Sequence, residues 1–139
     1  MPLPLSAAAL LGLVAWSLLL VFLMVNQRGL LVLAGRMKVN AFAADGSNTP
    51  GAFGQRLVRA HANALENLPM QAAVLLYAIA AGQTAITDPL AGLLLGARLF
   101  QSCMHLISTS ALFVWLRFAG FFVQVAILAW WLLKLAGLA

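Results

Sequence analysis

Four long apolar stretches dominate this chain, at about residues 5–25, 53–81, 89–109 and 113–135. A helix that crosses a bilayer needs roughly 20 predominantly apolar residues. Each stretch meets that length, and the 139 residues leave room for little else. Only 8% of the residues are charged, against about a quarter in a soluble domain. Such a chain cannot cover a water-facing surface. In lipid every backbone N–H and C=O must be satisfied within the structure, which selects helices here. The expectation is an all-α integral membrane protein, a bundle of four transmembrane helices forming a single domain over 1–139.

The segments between the stretches set the topology. The N-terminus "MPLPLSAAALLGLVAWSLLLVFLMV" has no basic leader, and its apolar run exceeds a signal-peptide core, so it reads as a retained span. "ADGSNTPG" reads as a loop, and Asp88-Pro89 reads as the start of the third helix. Arg28, Arg36 and Lys38 lie in the first connection, with Arg56 and Arg59 just beyond it, whereas the second connection carries no basic residue. Basic loops stay in the cytoplasm. The long first loop is therefore expected there, with both termini on the opposite side; Lys134 pulls weakly the other way. The net charge of +5 comes from eight dispersed Lys and Arg residues, not from the clustered basic patch of a nucleic-acid-binding surface. Cys103, the single cysteine, sits in an apolar run and reads as a packing residue.

The polar residues inside the stretches carry the chemistry. In "RLVRAHANALENLP", Arg56, Arg59, Asn63 and Glu66 are spaced 3, 4 and 3 and form one helical stripe that continues through Met70, Ala73 and Tyr77. Arg56 reads as a headgroup-facing helix end. Glu66 lies deeper, and an ionised carboxylate in lipid should turn inward and find a cation. Arg98, Gln101 and His105, spaced 3 and 4, offer one on the third helix. An Arg98–Glu66 pair follows, either as a device for helix packing or as part of a site. Arg117 at the start of the fourth helix is a snorkelling or site residue. No metal-ligand spacing, phosphate loop or nucleophile elbow occurs. Cations exceed anions around this cavity, so its expected guest is an anion with carboxylates.

The same stretch resembles a family signature. Arg-x-x-Arg-Ala-x-x-Asn-x-x-Glu, matched by Arg56, Arg59, Ala60, Asn63 and Glu66 and followed by Pro69, is similar to the second helix of the MAPEG family, the membrane-associated proteins in eicosanoid and glutathione metabolism. "GRMKVNAF", "ARLFQSCMH" and "LRFAGFFV" resemble further segments of that family, in the same order. The resemblance implies a homotrimer with glutathione as co-substrate between neighbouring subunits near the cytoplasmic face. It implies that Arg59, Asn63, Glu66, Arg98 and Gln101 line the glutathione site, with His105 as a further donor. By the same resemblance Arg36 or Lys38 would hold a glutathione carboxylate, and Arg117 would stand at the thiol. His105 stands where many relatives have tyrosine, Gln101 where histidine is frequent, and Ala62 where some members have a basic residue. Phe118 stands where the prostaglandin-forming branch has serine, which disfavours specialised prostaglandin or leukotriene synthesis.

Two functions follow. One is a glutathione-dependent transferase or peroxidase acting on lipophilic small molecules, such as electrophiles or lipid hydroperoxides drawn from membrane lipid. The other is a non-catalytic scaffold or accessory subunit that keeps the polar residues for packing; a transporter or channel lacks the ionisable relay it would need. The topology is testable directly. A single cysteine introduced as Ser47→Cys should react with impermeant thiol reagent from the cytoplasmic side. Modification only from the other side would reverse the orientation.

Overall fold

The apolar runs become four helices: α1 (Leu5–Leu33), α2 (Ala52–Ala80), α3 (Thr84–Ile107) and α4 (Ala111–Leu135). They are described by a computed structural model that covers residues 2–139. α2 and α3 form the centre, with α1 packed on both and α4 packed along α3. α4 meets α2 over a short stretch only, so a groove runs between them.

Each helix buries one stripe. On α4 the buried positions are Gly120, Gln124, Ile127 and Trp131, spaced 4, 3 and 4; on α3 they include Thr87, Ala91, Leu94, Arg98 and Gln101. One core cluster joins Leu13, Val74, Leu75, Leu94, Ile127 and Trp131; another joins Leu20, Leu57 and Ala64. The outward faces are as apolar as the core: Leu18, Phe22, Trp115 and Phe122 are each more than half exposed. In lipid, burying a leucine brings little gain over leaving it in acyl chains, so close packing and hydrogen bonds must hold the helices together. This is an integral membrane bundle. α1, α3 and α4 are each long and apolar enough to cross a membrane. α2 matches them in length at 29 residues, but its first half carries the polar stripe.

The third helix starts earlier than Asp88-Pro89 suggests. α3 begins at Thr84 and Pro89 lies inside it. Asp88 therefore does not cap the helix. Its Oδ1 instead accepts from the backbone N–H of Ser6 at 2.8 Å and from the Ser6 hydroxyl at 2.5 Å. The Ser6 Oγ also lies 2.5 Å from Thr87 Oγ1. α1 has no side-chain cap of its own, so a carboxylate from α3 satisfies an orphan N–H at its start.

At the other end the first connection folds onto α2. Asn48 spans it, accepting from the Ala43 N–H and donating to the Ala41 carbonyl. The Ser47 N–H bonds Asp45 and holds that carboxyl below its ordinary range. Gly46 adopts φ +72°, and a Cβ there would run into the Val58 side chain, so both conformation and space require glycine. Arg56 donates from Nε to the Leu106 carbonyl at 2.8 Å. It is thus a cap for the end of α3, where a cation also suits the helix dipole.

The Ser6 clamp gives a stability test. Ser6→Ala removes the hydroxyl bonds to Asp88 and Thr87 and should cost about 1–3 kcal/mol. Thermal unfolding in detergent should register this as a lowered midpoint. An unchanged midpoint would show that the clamp contributes nothing.

Candidate functional site

Five of the nine residues expected at a site share one groove. Asn63 and Glu66 of α2, Gln101 and His105 of α3, and Arg117 of α4 line a cavity of about 450 Å³. Asn67, Met70, Phe118 and Phe121 complete its wall. One side is polar and the α4 side is aromatic. A second cleft, about 370 Å³ between Tyr77 and Leu135, is apolar and holds none of the expected residues.

Arg98 lies beneath the groove, 2% exposed. The expected Arg98–Glu66 pair does not form. The Arg98 guanidinium donates from Nη1 to Asn63 Oδ1 at 2.8 Å and from Nε to Gln124 Oε1 at 3.0 Å, while Glu66 is exposed. The physical reason is register. Asn63 stands about one turn before Glu66 on α2 and takes the position opposite Arg98.

The partners of Arg98 close into a ring. Gln101 Nε2 donates to Asn63 Oδ1 at 3.0 Å, and Gln124 Nε2 donates to Gln101 Oε1 at 2.7 Å. Gln124 also donates to the Gly120 carbonyl at 2.9 Å and accepts from Gln71 Nε2 at 2.8 Å. Asn63 Oδ1 and Gln124 Oε1 thus each accept two bonds, as an amide oxygen can. Three helices are joined through one guanidinium and four amides. The Arg98 Nη2 remains buried without a partner.

At the groove mouth Arg117 Nη1 lies 3.0 Å from His105 Nδ1. A guanidinium only donates, so His105 Nδ1 must accept and the ring proton sits on Nε2. That fixes a neutral His105 whose remaining N–H is free to donate.

The remaining expected residues lie elsewhere. Arg36 and Lys38 are exposed in the first connection and do not line this groove. Arg59 is exposed and borders smaller clefts beside Asp45, Ser47 and Gln55. Among the described residues no group of His, Cys, Asp or Glu could hold a metal ion.

Gln71 and Gln124 were not among the expected site residues, although a signal exists for both. Gln124 is the lone polar residue of "FFVQVAIL", and an isolated amide in a span turns towards protein. Asn63, Asn67 and Gln71 repeat every four residues along one face of α2.

The ring and Glu66 can be compared by mutation. Gln124→Leu leaves the Arg98 Nε and Gln71 without their acceptor and should cost at least about 2–3 kcal/mol. Glu66→Gln alters an exposed group and should change stability by under about 0.5 kcal/mol. Chemical or thermal unfolding in one detergent ranks them. Equal losses would contradict the ring.

The sequence profile of the MAPEG family matches residues 6–137, nearly the whole chain. No curated protein and no solved structure matches it.

Proposed function

This chain belongs to the MAPEG family, and on that premise we propose that it is a membrane transferase or peroxidase that activates glutathione against lipophilic electrophiles or lipid hydroperoxides. One observation carries the reading: a guanidinium 2% exposed, held only by neutral amides, beneath a groove that also holds Arg117. Burying an unneutralised charge is costly, and a bound anion offsets that cost.

Glutathione suits the groove chemically. It brings two carboxylates, one ammonium and a thiol. The free Glu66 is the natural partner of the ammonium, and Arg98 favours a carboxylate. A homotrimer would bring Arg36 or Lys38 of the next subunit to a second carboxylate, with the site near the cytoplasmic face. The thiol would lie at Arg117. Thiolate is the nucleophile, and a fixed cation in a site of low dielectric favours it. A guanidinium offers no acceptor for a proton, so the thiol proton leaves to water. The thiolate then forms a carbon–sulfur bond with the electrophile, and the leaving group departs with the electron pair. With one Arg117 nitrogen on His105, the others remain free for sulfur, and the His105 Nε2–H is a second donor. Phe118 and Phe121 offer the apolar wall for an electrophile entering from lipid.

A non-catalytic scaffold has its own supporting observation. The amide ring ties α2, α3 and α4 together without any ligand. Millimolar glutathione separates the two readings. It should raise the unfolding temperature of the purified protein, because a ligand that binds the native state stabilises it by mass action. No rise favours the scaffold.

Arg117→Ala should raise the pKa of the bound thiol and slow conjugation of an aryl halide by about 100- to 1000-fold. Glutathione binding should survive on Arg98 and Glu66. Arg117→Lys should restore only part of the rate, since it keeps charge but loses the planar fork. The measurements are thiolate ultraviolet absorbance against pH and turnover. If Arg117→Ala leaves both unchanged, the arginine serves topology alone.

A further inference from the structure

Each side chain bonded to Arg98, and each side chain bonded to those in turn, ends in an amide. Asn63 and Gln124 accept from the guanidinium, Gln101 bridges them, and Gln71 supports Gln124. In every case a carboxylate of the same size exists. Asp at position 63 would accept the same two bonds and neutralise the buried charge. Gln71, Gln101 and Gln124 also donate from Nε2, which a carboxylate cannot do, but the Asn63 side chain serves only as an acceptor, so hydrogen bonds alone do not explain an amide at position 63. A carboxylate would relieve the desolvated cation better, by direct ion pairing.

We propose that the amide ring keeps Arg98 deliberately unneutralised, so that its full positive charge is left for the ligand in the groove, and that Gln124 is the positioning residue that makes this possible. Gln124 is 2% exposed and does not line the groove. It acts through Arg98, fixing Nε so that Nη1 points at Asn63 on the groove wall. The inference rests on the thiol-binding reading above and assigns the source of its charge selectivity. Three charged or titratable groups line the groove, Glu66 from α2, His105 from α3 and Arg117 from α4, and Arg98 of α3 lies beneath it. With the Glu66 carboxylate taken by the ligand's ammonium and His105 neutral, Arg98 and Arg117 decide the net sign. Supplying Arg98 with its own carboxylate removes half of that cationic field.

The test compares charge with shape at one position. Asn63→Asp retains both accepted bonds and adds the countercharge, whereas Asn63→Ala removes the amide and adds none. The probe is glutathione, titrated calorimetrically, with thiolate absorbance followed against pH. Asn63→Asp should match or exceed wild type in unfolding temperature yet bind glutathione about tenfold more weakly or worse, as expected for one charge cancelled within a few ångströms of the ligand at an effective dielectric near 20. Its bound thiol should titrate at higher pH. Asn63→Ala should lose less affinity and should not move the thiol titration in that direction.

If Asn63→Asp does not fold, Gln124→Glu carries the same test against Gln124→Met. Both variants lose the bonds donated to Gln101 and Gly120, but only the first adds charge, and it does so on the side of Arg98 away from the groove. Weaker binding and a raised thiol titration for the acidic member of either pair support the proposal. Equal affinity and equal titration within a pair overturn it while leaving the thiol site intact. Wild-type protein that binds no glutathione overturns the thiol site itself, and the proposal with it.

Discussion

A guanidinium removed from both water and lipid is the constraint around which this bundle is arranged. An arginine near the middle of a span is costly wherever it meets acyl chains. Arg98 avoids them by turning between α2 and α4, and that choice dictates much else. It requires acceptors on both neighbouring helices, which Asn63 and Gln124 supply. Those acceptors carry amide nitrogens that need partners in turn, and Gln101 and the Gly120 carbonyl receive the Gln124 donor. Gly120 lets α4 come close to α3: a Cβ there would lie 3.3 Å from the Ala97 carbonyl. Small size at position 120 and polarity at 124 are two sides of one contact.

The remaining polar residues divide by depth. Arg56 spends its Nε on the last turn of α3, and Asp88 spends its carboxylate on the first turn of α1. Both satisfy backbone groups that a helix end leaves open. They lie at opposite ends of the bundle and brace it there, leaving the middle to the ring. Between brace and ring lies the groove, where Glu66 and Arg117 remain available to solvent or ligand. Polar groups at the mouth of an apolar helix therefore perform three separate tasks: capping, interhelical bonding and lining a cavity.

Much of this was legible from the residues. Lipid forces backbone into helices, so apolar run length reveals the number of spans and their approximate extents. The stripe on α2 and the Arg98–Gln101–His105 spacing point to a shared interior, because buried polar residues in a membrane seek one another. What escaped was register along the helix. Pairing charges by sign selects Glu66 for Arg98, whereas the level of α2 against α3 brings Asn63 there instead. The start of α3 escaped for a similar reason. Asp88-Pro89 has the local chemistry of a helix start, yet the Asp88 partner is Ser6, 82 positions away. Arg36, Lys38 and Arg59 share a charge with the groove but not a location in one subunit, and sign alone does not specify location.

The amide ring also has a direction. A side-chain amide turned through half a revolution exchanges donor for acceptor at almost no steric cost, so a chain of amides takes its direction from the donor-only or acceptor-only groups that meet it. A guanidinium has no acceptor face. By donating to Asn63 and Gln124, Arg98 determines which way each must point, and Gln101 follows from those two. The arginine is thus one reference for its neighbours, and the Gly120 carbonyl, which only accepts, is a second that agrees with it. With both in place the four amides share a single arrangement, and the part of the groove wall that Asn63 and Gln101 form has a definite pattern of donors and acceptors.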